Sequence, residues 1–193
     1  MTGDALYLDE AALQVVRHAA ILQNPTTGLY HHAWSESSGQ YISDSYWARG
    51  NGWNMIADAK LLSALPSTHT LRSQIVTIVQ NQAQALAALQ HDSGLWHTVV
   101  NREDFYLESS GTTGIAYGLN CGIQGGWLPS DLEPNVQAAW LGLWQKVSAA
   151  GTLTDVSAPT WPMPEENYNA RPHDTMQLYG QGLGLMLLSS HLP

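Results

Sequence analysis

Apolar residues recur at helical spacing along most of this chain, and strict alternation is nearly absent. Ala12, Val15, Val16, Ala19 and Leu22 share one face of a segment running roughly from Leu6 to Gln23. A second stripe, Met55, Ile56, Ala59 and Leu62, predicts a helix from about Asn51 to Leu65 that stops before Pro66. A third begins near Thr68, a capping residue type, and carries Leu71, Ile75, Ile78, Val79 and Leu86. The fourth, from about Ser110 to Cys121, is rich in small residues. The fifth opens with Pro134 in its first turn and shows Val136, Trp140, Leu143, Trp144 and Val147. The sixth, from about Met176 to Ser190, is again small and apolar. Only Thr98 to Val100 and a few loop positions read as extended.

These pieces repeat. Gly28-Leu29-Tyr30-His31-His32 follows the first helix, Gly94-Leu95-Trp96-His97 the third, and Gly151-Thr152-Leu153 the fifth. Each turn leads through a polar loop into a helix with few polar positions, at a spacing of roughly 60 residues, longer than common solenoid repeats. A helix apolar on nearly every side belongs inside a second layer. The pattern predicts an all-α fold of the (α/α)6 barrel type. About three helical hairpins, half of the toroid, are present in a single domain over residues 1–193. The long connections at one rim would build the site.

Composition narrows the partners. With a formal charge of −9 and only seven Lys and Arg, the chain has no basic stripe for nucleic acid or an anionic membrane. No stretch is long and apolar enough to span a bilayer. Eight Trp and eight Tyr stand against one Phe. That mix offers flat apolar faces with hydrogen-bonding edges, which suits sugars and equally suits packing between helices. Cys121 is the only cysteine, so no internal disulfide forms. Met1 to Glu10 is acidic and lacks an apolar core, so no signal peptide is expected here, and the parent's compartment stays open.

Candidate chemistry gathers at Tyr46-Trp47-Ala48-Arg49-Gly50-Asn51-Gly52-Trp53. Arg49 and Trp53 are four apart and would share a helix face. Gly50 and Gly52 each cost about 1 kcal/mol in a helix relative to Ala, which a close approach of backbone or ligand would explain. Arg49 can fork onto a substrate carboxylate between Trp47 and Trp53, or serve a structural ion pair. His32 and His97 sit at equivalent rim positions, where a ring nitrogen can orient a hydroxyl or merely cap a loop. No ligand spacing supports zinc on His32, His97 and His173. Among the carboxylates Glu36, Asp44, Asp104, Glu108, Glu165 and Asp174, Glu108 reads as a first-turn acid and Asp174 as a cap. None is marked as an acid with a raised pKa.

Gly28-Leu29-Tyr30-His31-His32-Ala33-Trp34, Trp47-Ala48-Arg49-Gly50-Asn51-Gly52-Trp53, Gly94-Leu95-Trp96-His97 and Tyr106-Leu107-Glu108-Ser109-Ser110 occur in that order. In this the chain resembles glycoside hydrolase family 105, the unsaturated rhamnogalacturonyl hydrolases, which is related to family 88. The likeness weakens after about Gly125. It implies a helical barrel releasing a Δ4,5-unsaturated galacturonyl or glucuronyl residue from the non-reducing end of lyase-generated oligosaccharides. An Asp protonates the C4=C5 vinyl ether, water adds at C5, and the hemiketal opens; no metal or organic cofactor is implied. Trp47, Arg49 and Trp53 match cleft residues on the unsaturated sugar, His32 matches a cleft histidine, and His97 matches by motif alone.

The resemblance also places the family's catalytic Asp in the half preceding the segment that aligns with Thr2-Gly3-Asp4, outside this chain. Tyr179-Gly180-Gln181-Gly182 further departs from members with a His before the first Gly. The alternative function is therefore a truncated, non-catalytic remnant that keeps part of a uronate-binding cleft. Half a toroid would expose its inner helices and favour self-association.

Overall fold

Close helix crossings need residues without side chains, and the glycine positions dictate how this chain packs. The computed structural model describes residues 5–190. Its helices are α1 (Ala5–Leu22), α2 (Ala48–Ala64), α3 (Arg72–Ala88), α4 (Ser109–Gln124), α5 (Glu133–Trp144) and α6 (Leu178–Ser190). The inner row is α2 against α4 and α4 against α6, while α1 and α3 cover α2 and α5 covers α4. Met1 to Asp4, on which the alignment with the family's preceding half rests, and His191 to Pro193 lie outside the described residues.

The α2–α4 crossing is the tightest. A Cβ placed on Gly118 would lie 2.5 Å from Met55 Cβ, and one on Gly111 would lie 2.7 Å from Ala48 Cβ. Gly52 and Gly114 face each other, a Cβ on Gly114 falling 3.0 Å from the Gly52 Cα. Gly52 of the tryptophan-rich element thus admits the backbone of α4, while Gly50 makes room for the Trp47 ring. Overpacking of this kind costs about 2 kcal/mol. Gly118→Ala is expected to lose that much stability in urea denaturation, and an unchanged midpoint would contradict the packing described.

Several boundaries differ from those expected. Helix α2 begins at Ala48 rather than Asn51, because Trp47 already accepts the first helical bond from the Asn51 N–H at 3.0 Å. Helix α3 begins at Arg72, not Thr68: the Pro66 carbonyl takes the His69 N–H and His69 that of Arg72, so tight turns occupy the intervening residues. Glu108 is one residue outside α4, as its N-cap, and not in its first turn. Asp174 caps nothing, since α6 starts at Leu178.

Two short antiparallel ribbons were not anticipated: β1 (Ala33–Ser35) with β2 (Gln40–Ser43), and β3 (Trp96–His97) with β4 (Leu107–Glu108). Thr98 to Val100 lies beside them, and Val99 forms a lone bridge to Trp47. Gly28, Gly94 and Gly151 open the three repeated turns at φ of 80°, 84° and 76°, values that only glycine adopts freely.

One inner helix is only half covered. Leu178, Leu185 and Leu188 of α6 are exposed, as are Leu141 and Trp144 of α5. A groove of about 480 Å³ runs between these helices, lined by Trp140, Trp144, Leu153, Leu185 and Leu188 among others. No helix among the described residues is long and apolar enough to cross a membrane.

Candidate functional site

The N-terminal ends of α2 and α4, the two ribbons and the 153–175 connection meet at one end of the bundle. Asn51 holds the first repeated turn there. Its side chain accepts the Tyr30 N–H at 3.0 Å and donates to the carbonyls of Tyr30 at 2.9 Å and Trp47 at 3.1 Å. Gln82 of α3 donates to its Oδ1 at 3.1 Å. Sequence reasoning missed this role, although an Asn between two glycines at a helix start was its only trace.

Trp47 is 8% exposed. The His32 ring packs on it at a centroid distance of 4.3 Å, and the Arg49 guanidinium lies 4.7 Å from its ring. Its indole Nε1–H is buried without a hydrogen-bond partner. Such an orphan donor costs about 1–3 kcal/mol, so it is a feature that needs an acceptor. Trp53, one helical turn after Arg49, is 44% exposed.

Arg49 is 4% exposed and bound on several sides. Nη1 donates to Ser110 Oγ at 3.0 Å, Ser157 Oγ at 2.8 Å and the Ser157 carbonyl at 3.0 Å. Nη2 donates to the Ala158 carbonyl at 3.0 Å and Thr160 Oγ1 at 3.3 Å. The Tyr179 ring lies 4.8 Å from the guanidinium and supports this cation. Glu108 supplies the counter-charge at 3.7 Å. Arg49 therefore joins the last connection to the starts of α2 and α4.

Glu108 is fully buried and fully engaged. Oε1 accepts from Ser110 Oγ at 2.7 Å, the Ser157 N–H at 2.9 Å and Ser157 Oγ at 3.2 Å; Oε2 accepts the Gly111 N–H at 2.5 Å. Both carboxylate oxygens are thus taken up as acceptors. Of the other carboxylates, Glu36, Asp44 and Asp174 are exposed, while Asp104 and Glu165 pair with Arg102.

His32 sits at the open side. Its Nδ1 shares a hydrogen bond with the Tyr168 hydroxyl, which also contacts Ser43 Oγ at 2.9 Å. Burial and then the nearby Arg49 charge depress its pKa to about 4, so the ring is neutral near pH 7. His97 is placed differently: it is buried, its Nδ1 bonds the Phe105 carbonyl at 2.5 Å, and it packs on His91 at 5.4 Å. His173 stacks on Tyr106 at 3.7 Å. The three histidines thus have separate partners, and no described group of three or more His, Cys, Asp or Glu could hold a metal ion.

One ionisable group escaped the sequence reading. Asp58 is 4% exposed, its Oδ2 has no hydrogen-bond partner, and burial pushes its pKa up to about 7. Its spacing from Met55 and Leu62, three and four residues away, puts it on the buried stripe of α2, a signal that could have found it. It lies about 15 Å along the helix from Ala48, well below the rim.

Comparison with known proteins gives the family context. A profile of Glycosyl Hydrolase Family 88 matches residues 1–193. The unsaturated rhamnogalacturonyl hydrolase YesR of Bacillus subtilis is 36% identical over 187 residues, covering 96% of this chain and 53% of that protein. An unsaturated 3S-rhamnoglycuronyl hydrolase of Formosa agariphila is 29% identical over 148 residues, 73% of this chain and 37% of that one. A crystal structure from Salmonella enterica, described as a possible member of the GH105 family, superposes with a TM-score of 0.92 at 30% identity. It matches 97% of this chain and 50% of its own. The fold is thus of the (α/α)6 barrel type, with three hairpins in this chain. The chain spans about half the length, or less, of the curated relatives it matches.

Proposed function

The chain belongs to Glycosyl Hydrolase Family 88, and from that membership we propose that it supplies the sugar-holding side of a hydrolase. The reaction is release of a Δ4,5-unsaturated uronic acid from the non-reducing end of lyase-generated oligosaccharides. The relatives named for unsaturated rhamnogalacturonyl and rhamnoglycuronyl hydrolysis support the substrate class. The observation that carries the reading is the stacking of the neutral His32 ring and the Arg49 cation on Trp47, with Trp53 exposed one turn further along α2.

In this reading Trp47 and exposed Trp53 face the unsaturated ring. His32 offers Nε2 to a hydroxyl, because Nδ1 is engaged by Tyr168. Arg49 contributes positive potential toward the uronate while its fork stays on Ser110, Ser157, Ala158 and Thr160. Protonation of the double bond falls to a carboxyl group outside these residues: Glu108 is committed to Arg49, and Asp58 is buried far from the rim.

Titration of this chain with an unsaturated rhamnogalacturonan disaccharide, followed by tryptophan fluorescence, tests the assignment. Saturable binding is expected, and Trp53→Ala is expected to weaken it about tenfold, since an exposed aromatic is lost without a core defect. The ultraviolet absorbance of the double bond is expected to persist. Equal affinity for the saturated disaccharide, or no binding at all, would remove the assignment.

A further inference from the structure

Trp161 is 74% exposed, yet the chain around it is held firmly. It lies in Pro159-Thr160-Trp161-Pro162-Met163-Pro164, and a following proline restricts Trp161 to extended backbone. On its N-terminal side, Arg49 Nη2 holds the Ala158 carbonyl at 3.0 Å and Thr160 Oγ1 at 3.3 Å. Arg171 donates to the Pro159 carbonyl, and the Ala158 N–H donates to the Pro172 carbonyl at 2.8 Å. On its C-terminal side, Met163 packs on the cluster of Trp47, Val99, Phe105 and Tyr168. The indole is thus carried between one residue fixed on Arg49 and another fixed on the Trp47 cluster, the two anchors of the proposed sugar site.

We propose that Trp161 is a stacking platform for a sugar ring beyond the first one on the leaving side of the unsaturated residue, and so sets preference for longer oligosaccharides. The inference rests on the uronide-binding reading above. A proline-stiffened strap presents the ring with little ordering entropy left to lose on binding, which is the property such a platform requires. Polar groups are fixed in and on the strap: Thr160 precedes the indole, and Arg171 reaches the Pro159 carbonyl from the following segment. Hydrogen-bonding groups beside one flat apolar face fit a sugar ring, polar at its rim and apolar on its face, better than an apolar protein surface.

The test compares unsaturated rhamnogalacturonan di- and tetrasaccharides on the wild-type chain, Trp161→Ala and Trp161→Phe by calorimetry, with sedimentation alongside. Wild type is expected to bind the tetrasaccharide about tenfold more tightly than the disaccharide. Trp161→Ala is expected to abolish that gain with disaccharide affinity intact, and Trp161→Phe to retain most of it. Identical gains in wild type and Trp161→Ala would overturn this inference alone. A change in self-association without a change in sugar affinity would assign Trp161 to a protein contact and overturn it as well. Wild type that binds neither sugar would remove the uronide reading and this inference with it.

Discussion

Glu108→Ala is expected to destabilise the fold by about 3–5 kcal/mol, the cost of leaving a buried charge without its partner. The carboxylate is fully buried and Arg49 is 4% exposed, so water cannot replace what is lost. Four donors lose their acceptor: the N–H groups of Gly111 and Ser157 and the hydroxyls of Ser110 and Ser157. The start of α4 loses its cap, and the connection through Ser157 loses its tie to that helix. Glu108→Gln keeps one acceptor in place and should cost less than Ala. Combining Glu108→Ala with Arg49→Met should cost less than the sum of the single losses, because the second change removes the stranded cation. Urea denaturation of the wild type, the three single variants and the double variant measures this. Strict additivity, or a Glu108→Ala loss under 1 kcal/mol, would show that the pair does not hold the rim together.

That network shows where the sequence stops being readable. A structural ion pair was one of two readings of Arg49, but its partners lie 59 to 111 residues further on, and no local spacing reveals them. The helices were readable because each carries an apolar stripe at its own period, and the glycines of α2 were readable as a demand for close approach. What came close could not be read: against Gly52 it is α4, through Gly111 and Gly114, and against Gly50 it is the Trp47 ring. The ribbons were invisible for a plainer reason, since strands of two to four residues are too short to display alternation. Thr68 misled because a capping residue type does not make a cap when tight turns use the next three residues. Trp47 and Trp53 look equivalent in sequence. Once α2 begins at Ala48, the first becomes a buried N-cap and the second stands in solvent.

Asp58→Asn is expected to leave the protein nearly unchanged at pH 4 and to make it about 3 kcal/mol more stable at pH 8. An unfolded Asp titrates near pH 3.9, whereas burial holds Asp58 at about 7. Between those values the folded chain keeps a proton that the unfolded chain has released. Raising the pH therefore drains stability from the wild type, fully present below pH 3.9 and gone above 7, by about 4 kcal/mol. The amide removes that loss but leaves its own unpaired group, which costs about 1 kcal/mol. Two histidines act in the opposite sense. His32, depressed to about 4, and His18, lowered by burial, favour the folded state as pH rises toward 6.5. In the wild type these slopes partly cancel Asp58, so its stability should vary little across acid pH. In Asp58→Asn they stand alone, and stability should climb from pH 4 to 6.5 and then level. Urea denaturation of both chains at pH 4, 6 and 8 reads the difference directly. Parallel stability curves would mean that Asp58 is ionised in the fold, with a partner or a water that the buried face of α2 does not otherwise provide.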